Sequence, residues 1–155
     1  MSQTYYFDAD IIIAYLDEDD REKNNASKRT IRKVKNTIKR NPEIKVKIPS
    51  IALAEISTWL MENSRLTKLS HKLLELIKEL NADFPAPKKE HYVEALSLLA
   101  KDDYLKPHDS LIIAHALLDY STSHLFTFDT DLIGNRVIES RKSELGNKFK
   151  IGPEL

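Results

Sequence analysis

The sequence predicts a three-layer α/β/α sandwich built around a central, mostly parallel β-sheet. Short apolar runs rich in strand-forming residues alternate with longer segments in which apolar residues recur at helical spacing. Neighbouring parallel strands need crossover connections, which are usually helices. The alternation of strands and helices therefore favours a parallel sheet that is covered on both faces.

The first predicted strand, Thr4–Asp8, contains three consecutive aromatic residues that favour β-structure, and it ends at a charge. The other strands are predicted at Lys45–Ile48, Ala82–Phe84 and His124–Phe128. A last extended stretch is expected either at Arg136–Ile138 or at Lys148–Ile151, and the pattern does not choose between them.

Helices are predicted between these strands. Pro49 and Pro107 each open one of them, because proline fits the first helical turn but not a helix interior. The predicted segments are 9–17, Arg21–Arg40, Ser50–Asn63, Thr67–Leu80, Lys88–Ala100 and Asp109–Tyr120.

A length of 155 residues fits one compact domain over residues 1–155, and a hydrophobic content of 41% is enough for it to fold alone. The absence of cysteine excludes disulfides, thiol catalysis and thiolate metal sites, so any metal must be held by oxygen or nitrogen. Neither a secretory signal nor an apolar run of roughly 20 residues occurs. We therefore expect a cytoplasmic protein without a membrane segment.

Basic residues concentrate in one part of the chain, although the net charge is zero. Between Lys28 and Lys47, nine basic residues accompany a single acid, Glu43. Such a run is either a solvated helix face or a surface that contacts phosphates. Four members are our candidates for RNA binding and are called the basic helix surface: Arg32, Lys33, Lys35 and Lys39.

Four carboxylates are predicted to meet at one edge of the sheet. Asp8 and Asp129 each close a predicted strand, whereas Glu55 and Asp109 occupy early turns of helices. In open parallel sheets, ligands bind at the edge where the carboxyl ends of the strands lie. Glu55 and Asp109 also lie on apolar stripes, where an acid is costly unless it is paired, protonated or bound to metal.

Each of these acids also has a purely structural explanation. Asp8, Asp109 and Asp129 could each cap a helix, and Glu55 could form a buried salt bridge with a basic residue. Convergence of all four on one edge favours a shared site over four separate structural roles.

The segments that carry these acids resemble the PIN domain family. FDADIIIAYL is similar to the opening of PIN domains, where a strand ends in Asp-small-Asn before an apolar helix. PSIALAEISTWL and HDSLIIAHAL resemble the family's Glu-bearing and Asp-bearing helices, and FTFDTDL resembles its closing Thr-x-Asp motif. The resemblance implies a PIN-like fold and metal-binding roles for Asp8, Glu55, Asp109 and Asp129, with the hydroxyl of Thr127 near the site.

Two acids stand apart from the family pattern. Asp10 occupies a position where the family usually has Asn, Ser or Thr, so it adds negative charge and is expected to alter metal number or affinity. Asp131 competes with Asp129 as the last acid of the site. We prefer Asp129 because it directly follows the predicted strand.

Clustered carboxylates suit a nuclease that uses Mg²⁺ or Mn²⁺, since hard oxygen ligands favour these cations. Two cations roughly 4 Å apart can activate a water, neutralise phosphate oxygens and stabilise the leaving oxygen. We therefore predict a metal-dependent ribonuclease that hydrolyses RNA phosphodiester bonds. His108, which precedes Asp109, is a candidate for substrate contact.

The resemblance to small stand-alone PIN proteins of the VapC toxin type implies an antitoxin partner and a homodimer. Two other functions stay open from the sequence. Asp8-Ala-Asp10 could be the first motif of a haloacid-dehalogenase-like phosphatase, with Asp8 as nucleophile and Asp10 as acid/base, although Ile11-Ile12 replaces the usual Gly-Thr. A catalytically inactive PIN scaffold that binds a protein or RNA is the other, but such a scaffold has no reason to keep costly acids on apolar stripes.

Overall fold

The computed structural model of the protein describes residues 2–63 and 66–155. Within these residues, seven helices surround a four-stranded sheet. The strands are β1 (Thr4–Phe7), β2 (Lys45–Lys47), β3 (Thr122–Phe126) and β4 (Lys150–Gly152). The helices are α1 (Ala9–Leu16), α2 (Arg21–Arg40), α3 (Ser50–Glu62), α4 (Leu66–Leu80), α5 (Lys89–Leu99), α6 (Pro107–Leu118) and α7 (Arg136–Leu145). The predicted α/β/α sandwich with a parallel sheet is confirmed.

All four strands run parallel, in the order β2-β1-β3-β4. The central strand β1 pairs on one side with β2 and on the other with β3. Phe7, the last residue of β1, lies opposite Phe126, the last residue of β3. The carboxyl ends of these two strands are therefore adjacent, and the residues that follow them emerge at the same edge of the sheet.

The core lies between the sheet and its helices. Phe7 and Phe126 have no exposed surface, and their stacked ring centroids are 4.8 Å apart. Ile11 of α1, Ile56 of α3 and Ile112 of α6 are also fully buried in the same cluster. Burial of one such side chain contributes about 1.5 to 3 kcal/mol, so these contacts fix the elements that carry the acids.

Among the described residues, no helix is both long enough and apolar enough to cross a membrane.

The prediction of a strand at Ala82–Phe84 is wrong. Only Asp83 pairs there, in a single parallel bridge with Lys47. Asn81 leaves α4 with a positive φ of 49°. Pro85 follows the segment and has no N–H to donate. The chain between them is therefore too short to extend the hydrogen-bond ladder.

Of the two alternatives for the last extended stretch, the segment Lys148–Ile151 overlaps β4, whereas Arg136–Ile138 begins α7. The reason is the residue before α7: the Asn135 side chain accepts a hydrogen bond from Ile138 N at 3.1 Å and so caps the helix. At the other end, Gly146 closes α7 with a φ of 67°, which glycine adopts without strain.

Candidate metal centre

Asp8 directly follows β1 and joins the sheet to α1. Its backbone N–H donates to Phe126 O at 2.9 Å, which continues the ladder between β1 and β3. Oδ1 accepts from Ala9 N at 2.7 Å and caps α1, while Oδ2 accepts from the Thr127 hydroxyl at 2.9 Å. The helix-cap role therefore engages only one oxygen of Asp8, a residue that is 4% exposed.

Asp10 lies in the first turn of α1 and reaches the segment after β3. Its Oδ2 accepts from Phe128 N at 2.9 Å and is 3.1 Å from Thr127 Oγ1. The Thr127 hydroxyl has one proton and faces both Asp8 and Asp10, so it can donate to only one of them at a time. The two carboxylates are thus held side by side around one hydroxyl.

Asp129 belongs to the same turn as Thr127, and its backbone N–H donates to Thr127 Oγ1 at 3.0 Å. The charge of Asp129 raises the pKa values of Asp8 and Asp109, so this carboxylate lies within electrostatic reach of both. Asp131 is exposed, and its backbone N–H donates to Asp129 Oδ1 at 2.9 Å. Of the two competing acids, Asp129 is the one coupled to the other carboxylates, and it does not cap a helix.

Glu55 on α3 and Asp109 on α6 meet at His108. The His108 Nε2 atom is 3.2 Å from Glu55 Oε1 and 3.4 Å from Asp109 Oδ1. Because α6 begins at Pro107, earlier than predicted, Asp109 lies in its first turn and its side chain is 9% exposed. The Glu55 side chain is 35% exposed, so it lies at the rim of the cluster, in contact with His108.

Burial raises the pKa values of four of these carboxyl groups, and repulsion between them adds to the effect. Loss of hydration, followed by the charge of Asp8, raises the pKa of Asp10 to about 7 and that of Asp109 to about 6. Burial also raises the pKa of Asp8, with Asp129 contributing, and the pKa of Glu55, with Asp8 contributing. The five acids therefore form one electrostatic cluster.

Two carboxylate oxygens of this cluster, Asp10 Oδ1 and Glu55 Oε1, are buried and have no hydrogen-bond partner among the described residues. A buried acceptor without a donor costs about 1 to 3 kcal/mol, and more when it is charged. A divalent cation satisfies such oxygens and relieves the repulsion between acids. The donor set, carboxylate oxygens with the imidazole of His108, consists of atom types that bind such cations in proteins. The residues present therefore fit a divalent metal.

The basic helix surface lies along α2. Arg32, Lys33 and Lys39 are exposed, whereas Lys35 forms an ion pair with Glu79 of α4. Lys35 is therefore already engaged within the protein.

The two ends of α2 differ in their distance from the acids. Near its start, Lys23 Nζ lies 6.0 Å from the ring centroid of Phe128, beside the acid cluster. Its last residue, Arg40, leads into β2, and Lys45 N bonds Gln3 O at the amino-terminal end of the sheet. Lys39 therefore lies toward the edge opposite the acids, and the structure does not bring it together with them.

An open groove of about 400 Å³ adjoins the rim of the cluster, where Glu55 and His108 line it. Ile13 of α1, Ile51 of α3 and Trp59 of α3 form its apolar wall. Flat aromatic surfaces of this kind accept stacked nucleobases irrespective of sequence. The groove thus offers an apolar surface directly beside the acids.

Sequence reasoning missed two features of this rim. One is Lys106, whose positive charge lowers the pKa of Glu55 and therefore acts close to it. The other is the contact between His108 and Glu55, which joins two helices. The sequence signal was weak for both residues, since His108 directly precedes Asp109 and Lys106 lies three residues before it.

Comparison with known proteins agrees with this geometry. The sequence matches the family model described as PIN domain over residues 5–136. No curated protein matches the chain. A similar fold occurs in a crystal structure of VapBC2 from Rickettsia felis bound to a DNA fragment from their promoter. The two chains are 15% identical with a TM-score of 0.64, and the match covers 97% of this chain and 98% of that chain. At this identity, the likeness concerns the fold.

Proposed function

Because the chain belongs to the PIN domain family, whose members are typically nucleases, we propose that it is a metal-dependent endoribonuclease. The observation that carries the proposal is the acid cluster beyond β1 and β3. It combines four carboxyl groups of raised pKa with two buried oxygens that have no hydrogen-bond donor among the described residues. Burying these acids together lowers the stability of the folded protein, so the arrangement is expected where the acids bind cations.

In this proposal, Asp8, Asp109, Asp129 and Glu55 would hold Mg²⁺ or Mn²⁺ or orient water beside it, with Asp8 as the central ligand. Bound there, the cations would supply neutralisation of the phosphate oxygens and activation of water. Thr127 keeps Asp8 and Asp10 in place, since its hydroxyl lies 2.9 and 3.1 Å from their Oδ2 atoms.

The residues around the acids support RNA as the proposed substrate. The exposed members of the basic helix surface would contact phosphates. Trp59 would stack against a base in the groove beside Glu55 and His108. Lys106 would contact a phosphate near the scissile bond, because it lies close to Glu55.

We also propose that the protein is a VapC-type toxin, controlled by an antitoxin and acting as a homodimer. Support comes from the VapBC2 neighbour, whose chain matches this one over nearly the full length of both. Family membership gives no support to the phosphatase alternative. An inactive scaffold does not account for the raised pKa values of Asp10 and Asp109.

The test is cleavage of a fluorescently labelled RNA by the wild type and by Asp8→Asn, with Mg²⁺, Mn²⁺ or a chelator. Removing even an outer partner of a metal ligand costs about 10-fold to 100-fold, so loss of a direct ligand should lower the rate by at least about 100-fold. Asn still caps α1, so the fold should persist.

Asp83→Asn is the matched control, because Asp83 is exposed and its backbone contacts do not involve the carboxylate. Cleavage that survives in Asp8→Asn, or that ignores the chelator, would contradict the proposal. Rapid phosphate release from phosphomonoesters by the wild type would favour the phosphatase instead.

A further inference from the structure

Three donor atoms at the rim of the acid cluster converge on one point. Glu55, His108 and Asp109 each offer one of them, and these three atoms all lie within 4.8 Å of one another. Two elements far apart in the sequence supply them, since Glu55 comes from α3 and the other two from the first turn of α6. This group contains a nitrogen donor, in contrast to the oxygen donors around Asp8.

Hydrogen bonding does not explain the arrangement. Although His108 Nε2 is 3.2 Å from Glu55 Oε1, that oxygen is buried and has no hydrogen-bond partner among the described residues. Asp109 Oδ1 lies 3.4 Å from the same nitrogen. A single ring nitrogen carries at most one proton, so it cannot donate to both oxygens.

The separations do match those between ligands of one cation. With metal–ligand distances of about 2.1 Å, neighbouring ligands are about 3.0 Å apart in octahedral geometry and about 3.4 Å apart in tetrahedral geometry. The two distances from His108 Nε2, 3.2 and 3.4 Å, fall within this range or at its end. Asp8 lies near this group, because its charge is the largest contribution after burial to the raised pKa of Asp109.

We propose that Glu55, His108 and Asp109 form a mixed nitrogen and oxygen cation site beside Asp8, and that His108 makes it select transition-metal ions over Mg²⁺. The inference rests on the proposed nuclease function and names the metal class of its site. Imidazole is a borderline ligand that transition metals accept, whereas Mg²⁺ prefers oxygen and keeps much of its water. His108 is therefore assigned as a metal ligand.

The direct test is pulsed electron paramagnetic resonance of Mn²⁺ added stepwise to saturation. Coordination by imidazole couples the electron spin of Mn²⁺ to ¹⁴N, and we expect this coupling in the wild type and its loss in His108→Gln. His71→Gln is the matched control, because His71 is an exposed histidine on α4 outside the cluster. The His108 side chain is 42% exposed, so its replacement should leave the fold intact, which circular dichroism checks.

Calorimetric titrations provide a second readout. His108→Gln should weaken Mn²⁺ binding by at least about 10-fold and Mg²⁺ binding by less than about 3-fold. Equal losses for both ions would mean that His108 acts only through charge, and would overturn the assignment.

The outcomes separate this inference from the proposed function. Mn²⁺ that binds and supports RNA cleavage without ¹⁴N coupling would overturn the role of His108 alone. Absence of any Mn²⁺ binding would overturn the mixed site, and absence of both Mn²⁺ and Mg²⁺ binding would overturn the metal-dependent nuclease as well.

Discussion

Replacing Asp10 by asparagine should stabilise the metal-free protein at alkaline pH. Burial and the charge of Asp8 raise the pKa of Asp10 from 3.8 to about 7. That shift means that ionised Asp10 opposes folding by about 4 kcal/mol at pH 8. A group whose pKa is raised on folding contributes stability below its unfolded pKa and loses it as pH rises through its folded pKa. The penalty is therefore largest above pH 7.

Asparagine keeps the volume of Asp10 and most of its contacts. Its amide oxygen can accept from Phe128 N and Thr127 Oγ1, which now lie 2.9 and 3.1 Å from Asp10 Oδ2. The new amide NH₂ takes the position of buried Oδ1 and costs about 1 to 3 kcal/mol if it finds no acceptor. The net gain at pH 8 should therefore be about 1 to 3 kcal/mol.

The pH dependence of the stability difference between Asp10→Asn and the wild type isolates the electrostatic contribution, because the cost of burying the amide does not change with pH. Protonation of wild-type Asp10 should reduce the advantage of Asp10→Asn by about 2 to 3 kcal/mol between pH 8 and pH 5. Urea denaturation in the presence of chelator measures it, with Asp103→Asn as a control at an exposed site. A stability difference that stays constant from pH 5 to pH 8 would refute the reasoning.

Three further predictions follow from other parts of the structure. His115 is 2% exposed, its Nε2 has no hydrogen-bond partner in the described part of the chain, and burial lowers its pKa to about 4. The stability that depends on a neutral His115 ring should therefore be lost as pH falls below about 6.5. Relative to His115→Gln, the wild type should lose about 2 to 3 kcal/mol between pH 7.5 and 4.5 in urea titrations, and a parallel decline would argue against a buried neutral ring. Charge reversal of the exposed members of the basic helix surface should lower the salt dependence of RNA binding by roughly one unit per lost contact; an unchanged slope would assign them to solvent. Mn²⁺ should raise the melting temperature of the wild type but not of Asp8→Asn with Asp109→Asn, whose metal-free form should be at least as stable; severe destabilisation would make these acids structural partners.

The parts of the fold that periodicity specifies were predictable from the sequence. Helices and strands with long or regular apolar patterns were placed correctly, because burial of a single face dictates their type. The strand prediction around Asp83 failed because the left-handed Asn81 and Pro85 leave only three residues between them, of which Ala82 and Asp83 are depleted in strands. Asn135 is a residue type that often caps helices. It could not be identified as a cap from the sequence, because the helix that follows it was not predicted.

The candidate site also contains parts that the sequence predicts and parts that depend on tertiary packing. Asp8 and the turn after β3 were predictable, because adjacent parallel strands end at one edge whatever the details of packing. The contact between Glu55 and His108 was not, since it depends on the packing of α3 against α6. The hydrogen bond from Phe128 N to Asp10 was equally inaccessible, because only a distance in the folded chain reveals it.

Helix termini alone cannot stabilise the charge that the fold gathers at this edge. Asp8 caps α1 and Asp109 lies in the first turn of α6, and each helix N-terminus favours a carboxylate by about 0.3 to 1 kcal/mol, or about 2 kcal/mol at most when partly buried. Against this, burial and repulsion raise the pKa of Asp109 to about 6, which corresponds to about 3 kcal/mol, and ionised Asp10 adds about 4 kcal/mol. Because these penalties exceed what the helices supply, the metal-free cluster must hold protons near neutral pH. A divalent cation bound at this edge, as proposed, would let all of its acids ionise together.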